Sequence, residues 1–236
     1  MNFHSTSVLK EIISHKENAR VKLLGDSITH GVGGSGFAQN GEPIVTGFAR
    51  SPHSYCWANL LRDHLKEKYG CEVINNACTG RDIEFIIANF DKLVDAADDI
   101  VICTIGTNNR HQYFHTGERI ERDVYLNAFR ANIVKLYGMF KEAGKQVIFM
   151  ANIPASEQNE RDGEDYWRIF HMNDVNDAYK SASTECGFPL ISLYELFSGY
   201  CRENGIHLDC LRRDGLHPND EGYKVMFELL LRAFDL

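Results

Sequence analysis

No stretch of this 236-residue chain approaches the about 18 consecutive apolar residues of a membrane-spanning helix, so no integral membrane segment is expected. The opening residues, MNFHSTSVLKEIISHKENAR, are interrupted by His, Lys and Glu where a secretion signal carries an apolar core. The expectation is a cytoplasmic protein, or a secreted one had a leader been removed. Basic residues are also short: 25 Lys and Arg stand against 33 Asp and Glu, for a formal net charge of -8. A surface that tracks nucleic-acid phosphates needs clustered cations, so no nucleic-acid partner is expected. The cysteines number seven, with no C-x-x-C pair and no zinc-type Cys/His spacing. That excludes a disulfide framework or structural metal and predicts reduced thiols, with Cys103 in the core and Cys78 bordering a glycine turn. Low-complexity tracts are missing too, and 44% of residues are hydrophobic, which predicts one globular domain over residues 1–236.

What is present begins with VKLLGDSITHG, from Val21 to Gly31. An apolar run breaks at Gly25 and is followed by Asp26, Ser27 and His30, the pattern of a buried parallel strand delivering a serine hydroxyl to a sheet edge. Ser27 is the candidate nucleophile. The glycines that follow, Gly31, Gly33 and Gly36, fit a dinucleotide-binding G-x-G-x-x-G, but the context fails. Six residues separate Leu24 from Gly31, no helical period follows, and no acid stands near Pro52 to Cys56 to hold a ribose.

Further apolar runs read as strands in CEVINNA, DDIVICTIG, KQVIFMANIP and FPLISL. Helical spacing appears at Val8 to Ile13, Trp57 to Leu65, Ile83 to Val94, Leu126 to Phe140, about Tyr166 to Glu185, and Tyr223 to Phe234, the last starting at Asn219 or Asp220. Strands alternating with helices predict a three-layer α/β/α sandwich around a parallel sheet of about five strands. Ser27, Gly80 and Asn108 each follow a strand and should share one sheet edge.

A serine needs a base within reach and a third group to hold the base's tautomer. DGLHPND places Asp214 and His217 three residues apart, so one turn can hold carboxylate and imidazole together. In order and spacing, the stretches GDS, VINNACTG, ICTIGTNN and DGLHPND resemble the sequence blocks of the SGNH hydrolases, the GDSL-type esterase and lipase superfamily. The resemblance runs from Leu24 to about Asp220. It implies a flavodoxin-like SGNH hydrolase fold, with His217 as base, Asp214 as its orienting acid, and an oxyanion hole from the Ser27 and Gly80 backbone N–H groups and the Asn108 amide. One departure is visible: the family's third block usually reads G-x-N-D, whereas Asn109 follows Asn108 here.

The expected activity is ester hydrolysis through an acyl-enzyme, with no cofactor. His30, His53, His111, His115 and His171 are assigned to no metal; His30, Arg81 and Asp82 are placed for supporting roles beside the site. The loops Gly33 to Ser54, Arg110 to Arg119 and Pro154 to Trp167 are polar and aromatic. They suit short acyl esters such as O-acetyl groups of a carbohydrate, with a lysophospholipase or acyl-thioesterase as the alternative. From another class, a non-catalytic carbohydrate-binding protein on a hydrolase scaffold is disfavoured because all five catalytic positions are intact.

Overall fold

The computed structural model describes residues 7–38, 51–111, 121–160 and 168–236. Among these, five strands form one parallel sheet: β1 (Arg20–Gly25), β2 (Glu72–Asn75), β3 (Ile100–Thr104), β4 (Gln146–Ala151) and β5 (Leu190–Ser192). Their order is β2-β1-β3-β4-β5. Side chains alternate across the sheet as period two requires. Val21, Leu23, Ile100, Ile102, Ile148 and Met150 enter one core. Leu24, Val101, Cys103, Val147 and Phe149 enter the other. β1, β3, β4 and β5 are buried on both faces apart from the first residue of β1 and of β4, and it is this that makes their runs largely apolar, whereas the edge strand β2 is only partly buried.

The first core is covered by α1 (Val8–His15), α3 (Trp57–Tyr69), α9 (Leu193–Asn204) and α10 (Asp220–Phe234). The second is covered by α4 (Ile83–Ala88), α5 (Phe90–Leu93), α6 (Arg122–Glu142) and α8 (Met172–Cys186). Two single turns, α2 (Ser27–His30) and α7 (Glu157–Glu160), sit at strand ends. This is the three-layer α/β/α sandwich of the flavodoxin-like order, whose switch point lies between β1 and β3. Ligands of such sheets bind outside the carboxyl ends at that crevice, and Ser27 and Asn108 flank it.

Three elements differ from the sequence reading. The helix over Ile83 to Val94 is two, α4 and α5, because the Asn89 side-chain amide donates to the Phe85 carbonyl at 2.9 Å and the chain leaves helical geometry there. The helix placed from Tyr166 starts at Met172. Arg168 instead bridges His111 in antiparallel fashion, Ile169 N–H donates to the Arg110 carbonyl at 2.9 Å, and Asp174 accepts from His171 N–H in a capping box. Residues 166–167 lie outside the described residues. The helix α9 went unread, although Ser192 caps it by accepting from Glu195 N–H and Leu193, Phe197 and Cys201 recur at helical spacing.

The opposite, amino edge of the sheet holds a buried ion cluster. Lys22 of β1 and Asp98 ahead of β3 are fully buried side chains with Nζ and Oδ2 3.3 Å apart, and Arg20 Nε lies 3.2 Å from Asp98 Oδ1. Removing one member of a buried pair strands the other's charge, so Asp98→Ala should lower stability by about 3–5 kcal/mol. Urea unfolding would measure it; a loss under about 1 kcal/mol would mean that Lys22 is solvated as well as an exposed ion-pair member.

Candidate active site

The site is built on the β1 end. Asp26 N-caps α2, accepting from Ile28 N–H at 3.0 Å, so the first helical residue is Ser27, 4% exposed. The Ser27 hydroxyl donates to His217 Nε2 at 2.8 Å. His217 Nδ1–H donates to Asp214 Oδ2 at 2.7 Å; an ionised carboxylate can only accept, which fixes the proton on Nδ1. Asp214 Oδ1 accepts from the backbone N–H groups of His217 at 2.7 Å and Leu216 at 3.1 Å. Partial burial pushes the Asp214 carboxyl up, yet the His217 ring and backbone hydrogen bonds, His217's charge and the Leu216 N–H together hold it below the usual range. The structure thus brings Ser27, His217 and Asp214 into one unbroken line.

The Asp214 turn is clamped from below and beside. The buried Arg212 donates through Nη1 to the carbonyls of Gly215 and Leu216 at 3.3 and 3.1 Å, and Ser156 N–H donates to the Gly215 carbonyl at 2.8 Å. On the other flank, Gly33 adopts φ +98°, and a Cβ there would sit 2.3 Å from the Pro218 carbonyl oxygen. Only glycine lets that loop pass so close to the histidine turn.

The loop after β2 is stitched to the β1 end and α2, and the loop after β3 to it in turn. Cys78 N–H donates to the Gly25 carbonyl at 2.9 Å, and Thr79 Oγ1 lies 2.8 Å from His30 Nδ1. Gly80 follows with φ +73°, a left-handed conformation that its lack of a side chain allows. Next, the Arg81 carbonyl accepts from Asn108 Nδ2 at 2.8 Å, which leaves the second amide hydrogen of Asn108 available. Asp82 then N-caps α4 through Phe85 N–H at 2.8 Å. Gly80 and Asn108 are therefore one residue apart through a hydrogen bond, on loops that follow the two strands flanking β1. His30 and Arg81 sit where the sequence places supporting roles.

A buried network that the sequence reading missed underlies the line. Asp26 is fully buried; Asn152, just after β4, points Nδ2 at its two oxygens, 3.3 and 3.5 Å away, and at Thr107 Oγ1, 2.9 Å away. Burial pushes the Asp26 carboxyl up, opposed by the Thr107 hydroxyl, the Ile28 N–H, the charge of His217 and the Asn152 amide. The only sequence signal was a polar residue, Asn152, closing an apolar strand run.

Of the histidines assigned to no metal, His53 is exposed, His171 caps α8, and His111 sits beside Arg110 and Arg168. His115 lies outside the described residues, as do residues 39–50, 112–119 and 161–167 of the three loops read as the substrate rim. Cys103 is a core residue, and Cys78 is buried against the β1 end.

Two cavities border Asp214. One of about 340 Å³ lies between the Val32–Phe37 loop and Arg213, the other of about 400 Å³ between Ser156, Asn159, Arg168 and Arg212. The second is lined mainly by polar side chains; the first is lined by glycine backbone and the apolar Val32 and Phe37 beside Ser35, Arg213 and Asp214, with Phe37 the one aromatic face among the described lining residues.

The sequence model of a family described as the GDSL-like lipase/acylhydrolase family matches residues 23–225. No curated protein matches the chain. Among solved structures, an acetylxylan esterase from Geobacillus stearothermophilus is 18% identical with a TM-score of 0.68, covering 94% of this chain and 97% of that one. An alpha/beta hydrolase enzyme from the metagenome of Lake Arreo, Spain, is 20% identical with a TM-score of 0.67, covering 92% and 95%. The acetyl xylan esterase AlAXEase is 20% identical, also at 0.67, covering 91% and 98%. These likenesses are likenesses of fold.

One pH-dependent property follows from the rim. Burial first, then the charges of Arg110 and Arg168, push the His111 imidazole down to about 4. The unfolded chain, near 6.5, binds the extra proton first, so this group's stabilisation is full above about 6.5 and is lost as pH falls through about 4. An NMR titration should give a His111 midpoint near 4; an ordinary midpoint would place the ring in solvent.

Proposed function

The chain belongs to the GDSL-like lipase/acylhydrolase family and is a carboxylic ester hydrolase, and from that premise we propose that it works through an acyl-enzyme on Ser27. The observation that carries the proposal is the line Ser27 Oγ to His217 Nε2 at 2.8 Å and His217 Nδ1 to Asp214 Oδ2 at 2.7 Å. In the reaction Ser27 Oγ attacks the ester carbonyl as its proton passes to His217 Nε2. Asp214 keeps the ring in the tautomer that can accept and stabilises the imidazolium that results. The carbonyl oxygen becomes an oxyanion, met by the Ser27 and Gly80 N–H groups and the remaining amide hydrogen of Asn108. Such fixed donors commonly supply the largest single part of the rate enhancement. Collapse breaks the ester bond, and the alcohol leaves with the proton from His217. A water then repeats the sequence, giving its proton to His217, and releases the acid and Ser27.

For substrate we propose short acyl esters, with O-acetyl groups on a carbohydrate as the preferred class. Two observations support it. The larger of the two cavities beside Asp214, between Ser156, Asn159, Arg168 and Arg212, is mainly polar, whereas a long acyl chain calls for a mainly apolar lining. Two of the fold neighbours named above are acetylxylan esterases.

Ser27→Ala should abolish hydrolysis of p-nitrophenyl acetate while circular dichroism stays unchanged; comparable turnover by the variant would sink the serine mechanism. Asn108→Ala should lower kcat by about 10²–10³, as loss of other oxyanion donors does. For substrate class, kcat/KM across p-nitrophenyl acetate, butyrate, octanoate and palmitate should peak at acetate, and acetate should be released from acetylated xylooligosaccharides. A peak at octanoate or beyond would transfer the protein to lipid or thioester substrates.

A further inference from the structure

Asn109 stands where the resemblance leads one to expect Asp, and its surroundings account for the exchange. The side chain is buried, 1% exposed, and Oδ1 accepts the Ile83 backbone N–H at 3.1 Å. Only the oxygen can accept, so the amide nitrogen must face the other way, where it donates to Glu84 Oε2 at 2.7 Å. The other oxygen of that carboxylate, Oε1, accepts from Asn132 Nδ2 on α6 at 2.9 Å. Glu84 therefore has a donor on each oxygen. An aspartate at this position would turn one of these donors into an anionic acceptor at hydrogen-bond distance.

We infer that Glu84 and Asn109 are a positioning pair, which locks the loop carrying Gly80 against the loop carrying Asn108 so that their donors converge. The proposal rests on the reading of Gly80 and Asn108 as oxyanion donors. The pair ties the two loops on the far side of the Asn108–Arg81 hydrogen bond: Asn109 holds the first turn of α4 through Ile83 and Glu84, and Asn132 anchors that turn to α6. In this chain α4 supplies the carboxylate, and the residue after Asn108 has to be a donor. The usual aspartate is therefore the wrong residue here.

The test is a double-mutant cycle of Asn109→Asp, Glu84→Gln and the two together, assayed with p-nitrophenyl acetate and by thermal unfolding in a Ser27→Ala background. Asn109→Asp opposes two carboxylates at the 2.7 Å contact. It should lower kcat by about tenfold or more with KM little changed, since a displaced donor costs less than the about 10²–10³ of a deleted one. Glu84→Gln alone should cost little, because the Asn132 amide can turn to accept. In the double variant the amide introduced on α4 can donate to the carboxylate introduced after Asn108 and still accept from Asn132, so kcat and the unfolding midpoint should both recover. A full-rate Asn109→Asp enzyme, or a double variant as slow as the single, overturns the proposal. Should Asn109→Asp fail to fold, recovery of folding and activity in the double variant supports the pair, and its equal failure overturns it. Thermal unfolding needs no turnover: wild type inert toward esters, with the midpoints still coupled, would remove the oxyanion reading and with it the catalytic purpose of the pair. An uncoupled pair in an active enzyme removes only the pair.

Discussion

A single hydrogen bond, from Ser27 Oγ to His217 Nε2, joins two residues 190 positions apart, and the rest of the molecule is arranged so that it can form. A reacting pair displaced by an ångström can lose about a hundredfold in rate, so both ends must be held by more than the bond itself. The serine end is fixed by β1 and by Asp26 capping α2. The histidine end hangs on a turn clamped by Arg212 and Ser156, just before α10. Tyr223 of α10 closes the loop between them. Its buried hydroxyl lies 3.1 Å from the Ile28 carbonyl and 2.6 Å from that of Val32, so the helix that follows His217 packs directly on the helix that starts at Ser27. Burial pushes the Tyr223 hydroxyl well above its ordinary range, so it stays a neutral donor.

The two carboxylates near this bond have opposite environments. Asp214 is about half exposed on its side chain and surrounded by donors, so its charge is held. Asp26 has no contact with water, and burial dominates its proton affinity. Among the described residues it touches no ring nitrogen. What it does touch is the α2 amino end, Thr107 and Asn152, at the carboxyl ends of three neighbouring strands. Its effect on chemistry runs through geometry: the turn that carries Ser27 and the loop that carries Asn108 are referenced to one buried group.

Most strands were legible in the sequence because burial on both faces of β1, β3, β4 and β5 keeps them mostly apolar, Lys22 of β1 being an exception, while the partly buried β2 was read from its short Val73–Ile74 run. Ser27 was legible as a candidate from its strand end, and Asp214 with His217 from their spacing in one short turn, whereas the roles expected of Gly80 and Asn108 came from the resemblance to the SGNH hydrolases. The start of α8 was not, since the bridge between His111 and Arg168 overrides a helical pattern by pairing distant backbone. Nor were Asp26 with Asn152, 126 residues apart, or Asn109 with Glu84 and Asn132. Such partners share no motif; only the sheet order makes them neighbours. The break at Asn89 had a local cause but a weak one, because an Asn side chain competes with helical backbone in many contexts without ending the helix.

Polarity is buried at both edges of the sheet, to different ends. At the amino edge Lys22 and Arg20 share the carboxylate of Asp98, with Asp95 and Glu72 also facing Arg20, and among the described residues nothing there opens on a cavity bordering Asp214. At the carboxyl edge the buried groups are hydrogen-bonded to neighbouring loops and helices: Asn152 to Asp26 and Thr107, Asn108 to Arg81, Asn109 to Glu84, and Arg110 to Glu160. A buried polar chain is tolerable only when its members are satisfied, so each link restricts the geometry of the next. The consequence is a site whose donors are set before substrate arrives. Under the mechanism proposed above, an oxyanion would meet groups already held in place, and this is the physical condition under which hydrogen-bond donors accelerate acyl transfer instead of merely binding the ester.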